Sequence, residues 1–196
     1  METKGSWTLT TDYVDSWAVA DGAFSIDECK KIIELGSNLQ TMDPSVKTIH
    51  GYLNDTSIRD SKLSWIYPND ENEWIFRRLT DYVTVVNDKF FRFNLFGFIE
   101  GLQFTRYDAP SGFYGMHIDK AYGRTIRKLS LTIQLSDPNE YEGGELALQT
   151  AVDPVIMEKK QGKLIAFPSY VMHEVKPVTK GTRYSLVAWV TGEPFK

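Results

Sequence analysis

The sequence predicts a mainly β, α+β protein: a double-sheet jelly roll with two N-terminal helices buttressing one sheet. Three observations predict it. From Phe98 onward the chain reads as eight short strands in succession, with alternating or continuous apolar character. Turn residues punctuate them at Asp108-Ala109-Pro110-Ser111-Gly112, Asp137-Pro138-Asn139, Gly143-Gly144, Gln161-Gly162 and Lys180-Gly181. Upstream, two stretches carry apolar residues at intervals of three and four, the period of a helix that packs on one side.

The first helix starts at Ser25, an N-cap with Glu28 three residues on, in capping-box spacing. Ile26, Cys29, Ile32 and Ile33 fall on its apolar face, Lys30, Lys31 and Glu34 on the other, and Gly36 reads as its stop. Ser37 to Asn54 has no sustained period, and His50, beside Gly51 in a turn, reads as structural or solvated. Ser57 to Ile66 reads as one strand and Pro68-Asn69-Asp70 as a turn. A second helix then runs from about Glu71 to Phe91 on Ile75, Leu79, Tyr82, Val86 and Phe90, and the Phe90–Phe98 aromatics read as core. The eight strands follow over Phe98–Tyr107, Phe113–Asp119, Arg127–Leu135, Glu145–Gln149, Val155–Glu158, Lys163–Phe167, Val171–Pro177 and Arg183–Thr191. The expected organisation is one domain over 1–196, helical to about residue 97 with a jelly-roll core over about 98–191.

Composition narrows the function classes. A chain of 196 residues with 42% hydrophobic and 24% charged residues can bury a substantial core. A formal charge of -4 gives no general attraction to phosphate backbones or anionic lipid, so nucleic acid is a disfavoured partner and a membrane is not expected as one. Cys29 is the only cysteine, which excludes an intrachain disulfide and a cysteine-rich zinc site. No stretch approaches the roughly 20 apolar residues of a bilayer span, and the expected location is the cytoplasm.

Chemistry concentrates at Tyr114-Gly115-Met116-His117-Ile118-Asp119. On a strand, His117 and Asp119 project from one face and can hold two corners of a metal. Two of the chain's three histidines join this constellation, because His173 lies downstream in the apolar strand Val171-Met172-His173-Glu174-Val175. Two imidazoles and one carboxylate match the facial arrangement that holds non-haem Fe(II) and leaves the opposite positions open. Zinc with a water ligand is the competing metal, and ligand type alone does not decide between them.

Arg183 bears on that choice. Read as a three-residue hairpin turn, Thr179-Lys180-Gly181 places Pro177 opposite Arg183 and points His173 and Arg183 into one interior, ~13 Å apart along the strands. Such a gap suits a small dicarboxylate that chelates metal at one end and meets a guanidinium at the other, with Ser185 on the same face as a second donor. A two-residue turn would shift the register and leave Arg183 on the solvent side.

The ordered series Gln103-Phe-Thr-Arg-Tyr107, His117-Ile-Asp119, Leu135-Ser-Asp-Pro-Asn-Glu-Tyr-Glu-Gly143-Gly144-Glu-Leu146, Phe167-Pro-Ser169, His173 and Gly181-Thr-Arg183-Tyr-Ser185 resembles the 2-oxoglutarate- and Fe(II)-dependent dioxygenases. Within them it most resembles the prolyl 4-hydroxylase-like branch. The resemblance implies a double-stranded β-helix in which His117, Asp119 and His173 are the metal and catalytic residues, and Arg183 clamps the far carboxylate of 2-oxoglutarate. It further implies that Tyr107 contacts 2-oxoglutarate and that Trp189 packs near the metal. Gln134 stands where some relatives carry a Tyr to bond the far carboxylate.

Fe(II), 2-oxoglutarate and O2 are the implied cofactors, with ascorbate as an accessory reductant. The implied reaction couples oxidative decarboxylation, giving succinate and CO2, to hydroxylation of an unactivated C–H bond. Because Asp119 is present, hydroxylation is preferred to halogenation. The implied substrate is a prolyl residue in a peptide or protein. Hydroxylation of a free amino acid or other small molecule is the alternative, and a non-catalytic metal and 2-oxoglutarate sensor is another. Nucleic-acid demethylation fits less well with the acidic balance. Residues 44–60 and 120–125 are the expected covers of the site.

Overall fold

Ser25 caps the first helix as its spacing requires. Its side chain accepts from the Glu28 amide while the Glu28 carboxylate accepts from the Ser25 amide, and α1 runs Ile26–Asn38. In this computed structural model the described residues are 13–43, 46–48, 51–53, 55–119 and 126–194. His50 and 120–125 lie outside them, as does part of 44–60. Helix α2 spans Glu73–Val86 and ends in a π-helical turn, Asn87–Phe91.

The strands are β1 (Ala18–Ala20), β2 (Val46–Thr48), β3 (Gly51–Leu53), β4 (Arg59–Asp60) and β5 (Lys62–Ile66) before α2. After it come β6 (Leu95–Gly97), β7 (Leu102–Asp108), β8 (Phe113–His117), β9 (Arg127–Gln134) and β10 (Tyr141–Gly143). The last five are β11 (Leu146–Gln149), β12 (Val155–Ile156), β13 (Leu164–Pro168), β14 (Met172–Val175) and β15 (Val178–Gly192). An eight-stranded sheet has the order β1-β13-β9-β15-β7-β5, with β10 and β6 also pairing to β15, and faces a five-stranded sheet ordered β12-β11-β14-β8-β4. Strands β2 and β3 pair only with each other. All described pairings are antiparallel, as in a double-stranded β-helix. Among the described residues no helix is long and apolar enough to cross a membrane.

The larger sheet is buried on both faces, and the two faces differ in chemistry. Leu129, Leu131 and Ile133 of β9, Leu102 and Phe104 of β7, and Leu186, Ala188 and Val190 of β15 join Ile32 of α1 and Ile75, Leu79 and Val83 of α2 in one apolar core. The intervening positions face the other sheet. There Gln103, Thr105, Ser130, Thr132, Gln134, Arg183 and Ser185 are all buried and polar. Register aligns them, with Ser185 opposite Thr105 on one side and Gln134 on the other, and Trp189 opposite Ser130.

Four local expectations change. Gly36 does not stop α1: it sits inside the helix, where an added Cβ would lie 2.3 Å from the Phe104 ring, and its carbonyl accepts from Ser64 Oγ at 2.8 Å. Its smallness sets the approach of helix to sheet. Ser57–Ile66 is two strands: β4 joins the smaller sheet and β5 the larger, with the chain changing sheets at Ser61. The aromatic cluster divides, with Phe91 buried and Phe96 exposed.

Thr179-Lys180-Gly181 is no hairpin. It lies within β15 and pairs with β10, so the strands of His173 and Arg183 belong to different sheets. Its turn-like composition has a local cause. Gly181 takes φ +71°, and a Cβ there would meet the Glu140 carbonyl at 2.1 Å.

Candidate metal and dicarboxylate site

His117 and His173 are direct cross-strand partners on β8 and β14. Their rings lie 4.1 Å apart between centroids, and Tyr114 stacks on His117 at 3.5 Å. His117 Nδ1–H donates to the Gly115 carbonyl at 2.7 Å and His173 Nδ1–H to the Val171 carbonyl at 3.0 Å. A carbonyl can only accept, so each Nδ1 carries a proton, and each Nε2 is the ring atom turned toward Asp119.

Asp119 lies two residues beyond the end of β8 and is held by the surrounding chain. Its amide donates to the Ser169 carbonyl at 3.0 Å, and Ser130 Oγ donates to its Oδ2 at 2.7 Å. Ser169 Oγ lies 2.9 Å from Ser130 Oγ. The two carboxylate oxygens then stand 3.6 Å from His117 Nε2 and 3.5 Å from His173 Nε2. One ligand atom from each of the three residues lies within 4.8 Å of the other two, the geometry of a facial metal site.

The protonation states favour a cation. Burial pushes His173 down to about 4, reinforced by His117 and opposed by Asp119, so its imidazole is neutral at neutral pH. Burial alone would raise the Asp119 carboxyl, but His173 and His117 outweigh it and hold the group well below the usual carboxylate range. The Trp189 indole N–H also favours the ionised form, although it has no partner in hydrogen-bond geometry. Two imidazoles, that of His173 neutral, and one carboxylate make the ligand set of a divalent ion.

Arg183 faces this cluster from the other sheet and is fully buried. Its Nη2 donates to Gln134 Oε1 at 2.9 Å, its Nη1 lies 3.4 Å from Ser185 Oγ, and Tyr107 sits under the guanidinium at 5.3 Å. Arg183 Nε and Gln134 Nε2 have no partner. Two buried, unsatisfied donors on side chains already bonded to each other form a cradle for an anion, because such groups are costly unless something accepts from them. The residues therefore fit a metal on one sheet and a carboxylate on the other.

The structure thus brings His117, Asp119 and His173 together, and separately gathers Arg183, Ser185, Gln134 and Tyr107, with Trp189 beside Asp119. Sequence reasoning assigned no role to Ser130, Ser169, Tyr141 or Gly144. Strand parity with Gln134 could have found Ser130. Tyr141 is buried beside Arg183; burial raises its hydroxyl pKa while Arg183 opposes the rise. Gly144 takes φ +65°, and a Cβ there would lie 3.0 Å from Arg183 Cδ and 2.9 Å from Val178 Cγ2. Gly144 is therefore what lets the chain pass against the arginine stem.

Comparison with known proteins agrees with this geometry. Residues 102–191 match the family model of the 2OG-Fe(II) oxygenase superfamily. A PKHD-type hydroxylase of Prochlorococcus marinus is 44% identical over 93 residues, covering 47% of this chain and 42% of the relative. One from Thermosynechococcus vestitus is 42% identical over 94 residues, covering 45% and 42%. The match thus spans less than half the length of these curated relatives.

Among solved structures, a Pseudomonas putida prolyl-4-hydroxylase superposes with a TM-score of 0.68 at 22% identity, covering 91% of this chain and 94% of that one. A Trichoplax adhaerens prolyl hydroxylase in complex with a hypoxia inducible factor peptide fragment superposes with a TM-score of 0.71 at 16% identity, covering 90% and 84%. The viral collagen prolyl hydroxylase of Paramecium Bursaria Chlorella virus-1, in its 2OG complex, gives 0.68 at 21% identity, covering 92% and 97%. At these identities the likeness is one of fold. Residues 102–191 thus match the 2OG-Fe(II) oxygenase superfamily model, and the chain shares its fold with solved prolyl hydroxylases.

Proposed function

We propose that the protein is a single-domain, Fe(II)- and 2-oxoglutarate-dependent dioxygenase that hydroxylates a prolyl residue in a peptide or protein. His117, Asp119 and His173 hold the iron through two Nε2 atoms and a carboxylate. Arg183 and Gln134, with Ser185, Tyr107 and Tyr141 around them, hold the far carboxylate of 2-oxoglutarate. With O2, the loaded iron would supply the oxidising power to hydroxylate an unactivated C–H bond, releasing succinate and CO2. The chain orients the ligands through Ser130, Ser169 and the two backbone acceptors, and shields them from water with Phe167 and Trp189.

One observation carries this reading: a two-imidazole, one-carboxylate cluster opposite a buried guanidinium whose Nε has no acceptor. A zinc protein of the same ligand type gives no reason for Arg183 to be buried there. The prolyl substrate is supported by the prolyl hydroxylases among the structural neighbours and by the hydroxylase names of the relatives.

The test is anaerobic titration of apo-protein with Fe(II) and then 2-oxoglutarate, following the visible metal-to-ligand charge-transfer band. The band should form in the wild type, vanish in His173→Ala and need far more 2-oxoglutarate in Arg183→Ala. Tight zinc binding with no band in the presence of Fe(II) would overturn the reading. For the substrate, prolyl peptides should stimulate succinate release well above free proline; the reverse order would replace the peptide with a small molecule.

A further inference from the structure

Arg59 is a second buried guanidinium that the reading above leaves unused. It is only 5% exposed, on β4 at the edge of the smaller sheet, directly opposite Tyr114. Its Nε donates to Ser61 Oγ at 2.9 Å, and its guanidinium carbon lies 4.4 Å from the centre of the Tyr114 ring, the same ring that stacks on His117 at 3.5 Å. A single aromatic ring therefore separates this cation from a candidate metal ligand. Its Nη2 has no hydrogen-bond partner, and no ion pair to Arg59 forms among the described residues.

A strut that merely packed on Tyr114 would not need a charge, and a buried N–H of a cation left unsatisfied is among the costlier arrangements in a protein. Arg183 shows what such an orphan accompanies elsewhere in this interior, on the side assigned to the co-substrate. Arg59 stands on the side of the metal ligands, where the molecule to be oxidised must approach. The face of Tyr114 holds the guanidinium plane, and Ser61 fixes its rotation through Nε, so Nη2 is pre-oriented.

The geometry points to Arg59 as the substrate-positioning donor of this site: its Nη2 receives the carbonyl-type oxygen of the amino-acid unit that is oxidised. This assignment rests on the oxygenase reading. Two sources share the required chemistry, the backbone carbonyl of a peptide and the carboxylate of a free or C-terminal amino acid. A carboxylate would neutralise the unpaired charge, whereas an amide carbonyl would only satisfy the N–H.

The experiment uses the full chain loaded anaerobically with Fe(II) and 2-oxoglutarate. N-acetyl-L-proline supplies the carboxylate and N-acetyl-L-prolinamide the amide carbonyl. Binding is followed by perturbation of the charge-transfer band and, in a 15N-labelled zinc-loaded sample, by the Arg59 Nε–H resonance. In the wild type at least one probe should bind and shift that resonance, and Arg59→Met should weaken it by about tenfold or more. Arg59→Lys, which keeps the charge without the fork, should retain part of the affinity for N-acetyl-L-proline and less for the amide. Tighter binding of the acid identifies a carboxylate source, and equal binding a peptide source.

Unchanged probe affinity in Arg59→Met with an intact band would overturn the assignment while leaving the oxygenase reading in place. Absence of binding by both probes at millimolar concentration, or binding that leaves the Arg59 resonance unmoved, would also overturn it. A wild type that forms no band would defeat the oxygenase reading instead.

Discussion

Replacing Ser130 with Ala removes one oxygen atom and tests whether the carboxylate side of the site is built or incidental. Ser130 Oγ donates to Asp119 Oδ2 at 2.7 Å between groups that are 0% and 8% exposed. A hydrogen bond to an ionised acceptor in such a place contributes about 1.5–3 kcal/mol. At roughly 1.4 kcal/mol per decade, that corresponds to a loss of about 10- to 100-fold in metal affinity, the usual range for groups that orient a metal ligand. Ser169 cannot compensate fully, because its hydroxyl contacts Ser130 Oγ at 2.9 Å and its carbonyl already accepts from the Asp119 amide.

Anaerobic Fe(II) titration, with Co(II) as a spectroscopic substitute, should therefore give a dissociation constant raised by one to two decades in Ser130→Ala. It should be largely restored in Ser130→Thr, which keeps the hydroxyl. Thermal unfolding of apo-protein should fall by a few degrees for the same lost bond. If Ser130→Ala lowered the melting temperature and left the metal affinity within twofold, Ser130 would be a packing residue and the reasoning would fail.

Three further outcomes follow from particular contacts. Gly144→Ala combines a left-handed backbone with contacts at 2.9 and 3.0 Å to Val178 and Arg183, so calorimetry should show 2-oxoglutarate affinity reduced more than metal affinity. Gly36→Ala should gain about 1 kcal/mol of helix propensity and lose more to a Cβ placed 2.3 Å from the Phe104 ring. Its melting temperature should fall, and Phe104→Leu in the same chain should recover part of the loss. Cys29 is 0% exposed, and burial pushes its thiol up to about 11 from 9.0, with the Glu28 charge adding to the rise. The folded state binds that proton more tightly, so the associated stability is intact below pH 9 and is lost as the pH rises from about 9 to 11. The span is worth roughly 3 kcal/mol. The difference between wild type and Cys29→Ala in a denaturant series across that window should show it, and native Cys29 should resist alkylation at neutral pH.

Much of this architecture is readable from side-chain period alone. The capping box at Ser25, the second helix and the eight strands expected after Phe98 follow from local chemistry, whereas a ninth, β10 (Tyr141–Gly143), forms by pairing with β15 and carries no strand pattern of its own. Sheet membership is less legible. Ser57–Ile66 has one continuous strand-like composition, yet a single residue, Ser61, carries the chain from one sheet to the other. Thr179-Lys180-Gly181 looks like a reversal because its glycine satisfies a positive φ inside a strand, a need that composition cannot distinguish from a turn.

His173 and Arg183 consequently face one interior from opposite sheets, not across a hairpin. The convergence of His117, Asp119 and His173 was legible from spacing. The role of Ser130 and Ser169 in holding Asp119 was less so, because a serine carries no ligand signature of its own and only strand parity with Gln134 points to Ser130.

The larger sheet also has a bearing on how the chain avoids misfolding. Each of its central strands has a greasy face and a polar face, and both are sequestered from water. A one-residue slip of β15 would drive Arg183 and Ser185 into the layer beneath the helices and turn Leu186 and Ala188 toward His117 and His173. That slip would be penalised twice, by a cation without solvent in an apolar layer and by the loss of hydrocarbon contact on the helices. A misregistered molecule could neither bury its helices nor present an anion cradle. Ligand capture and correct strand pairing therefore audit each other, and a preparation's metal-loaded fraction should track its correctly paired fraction.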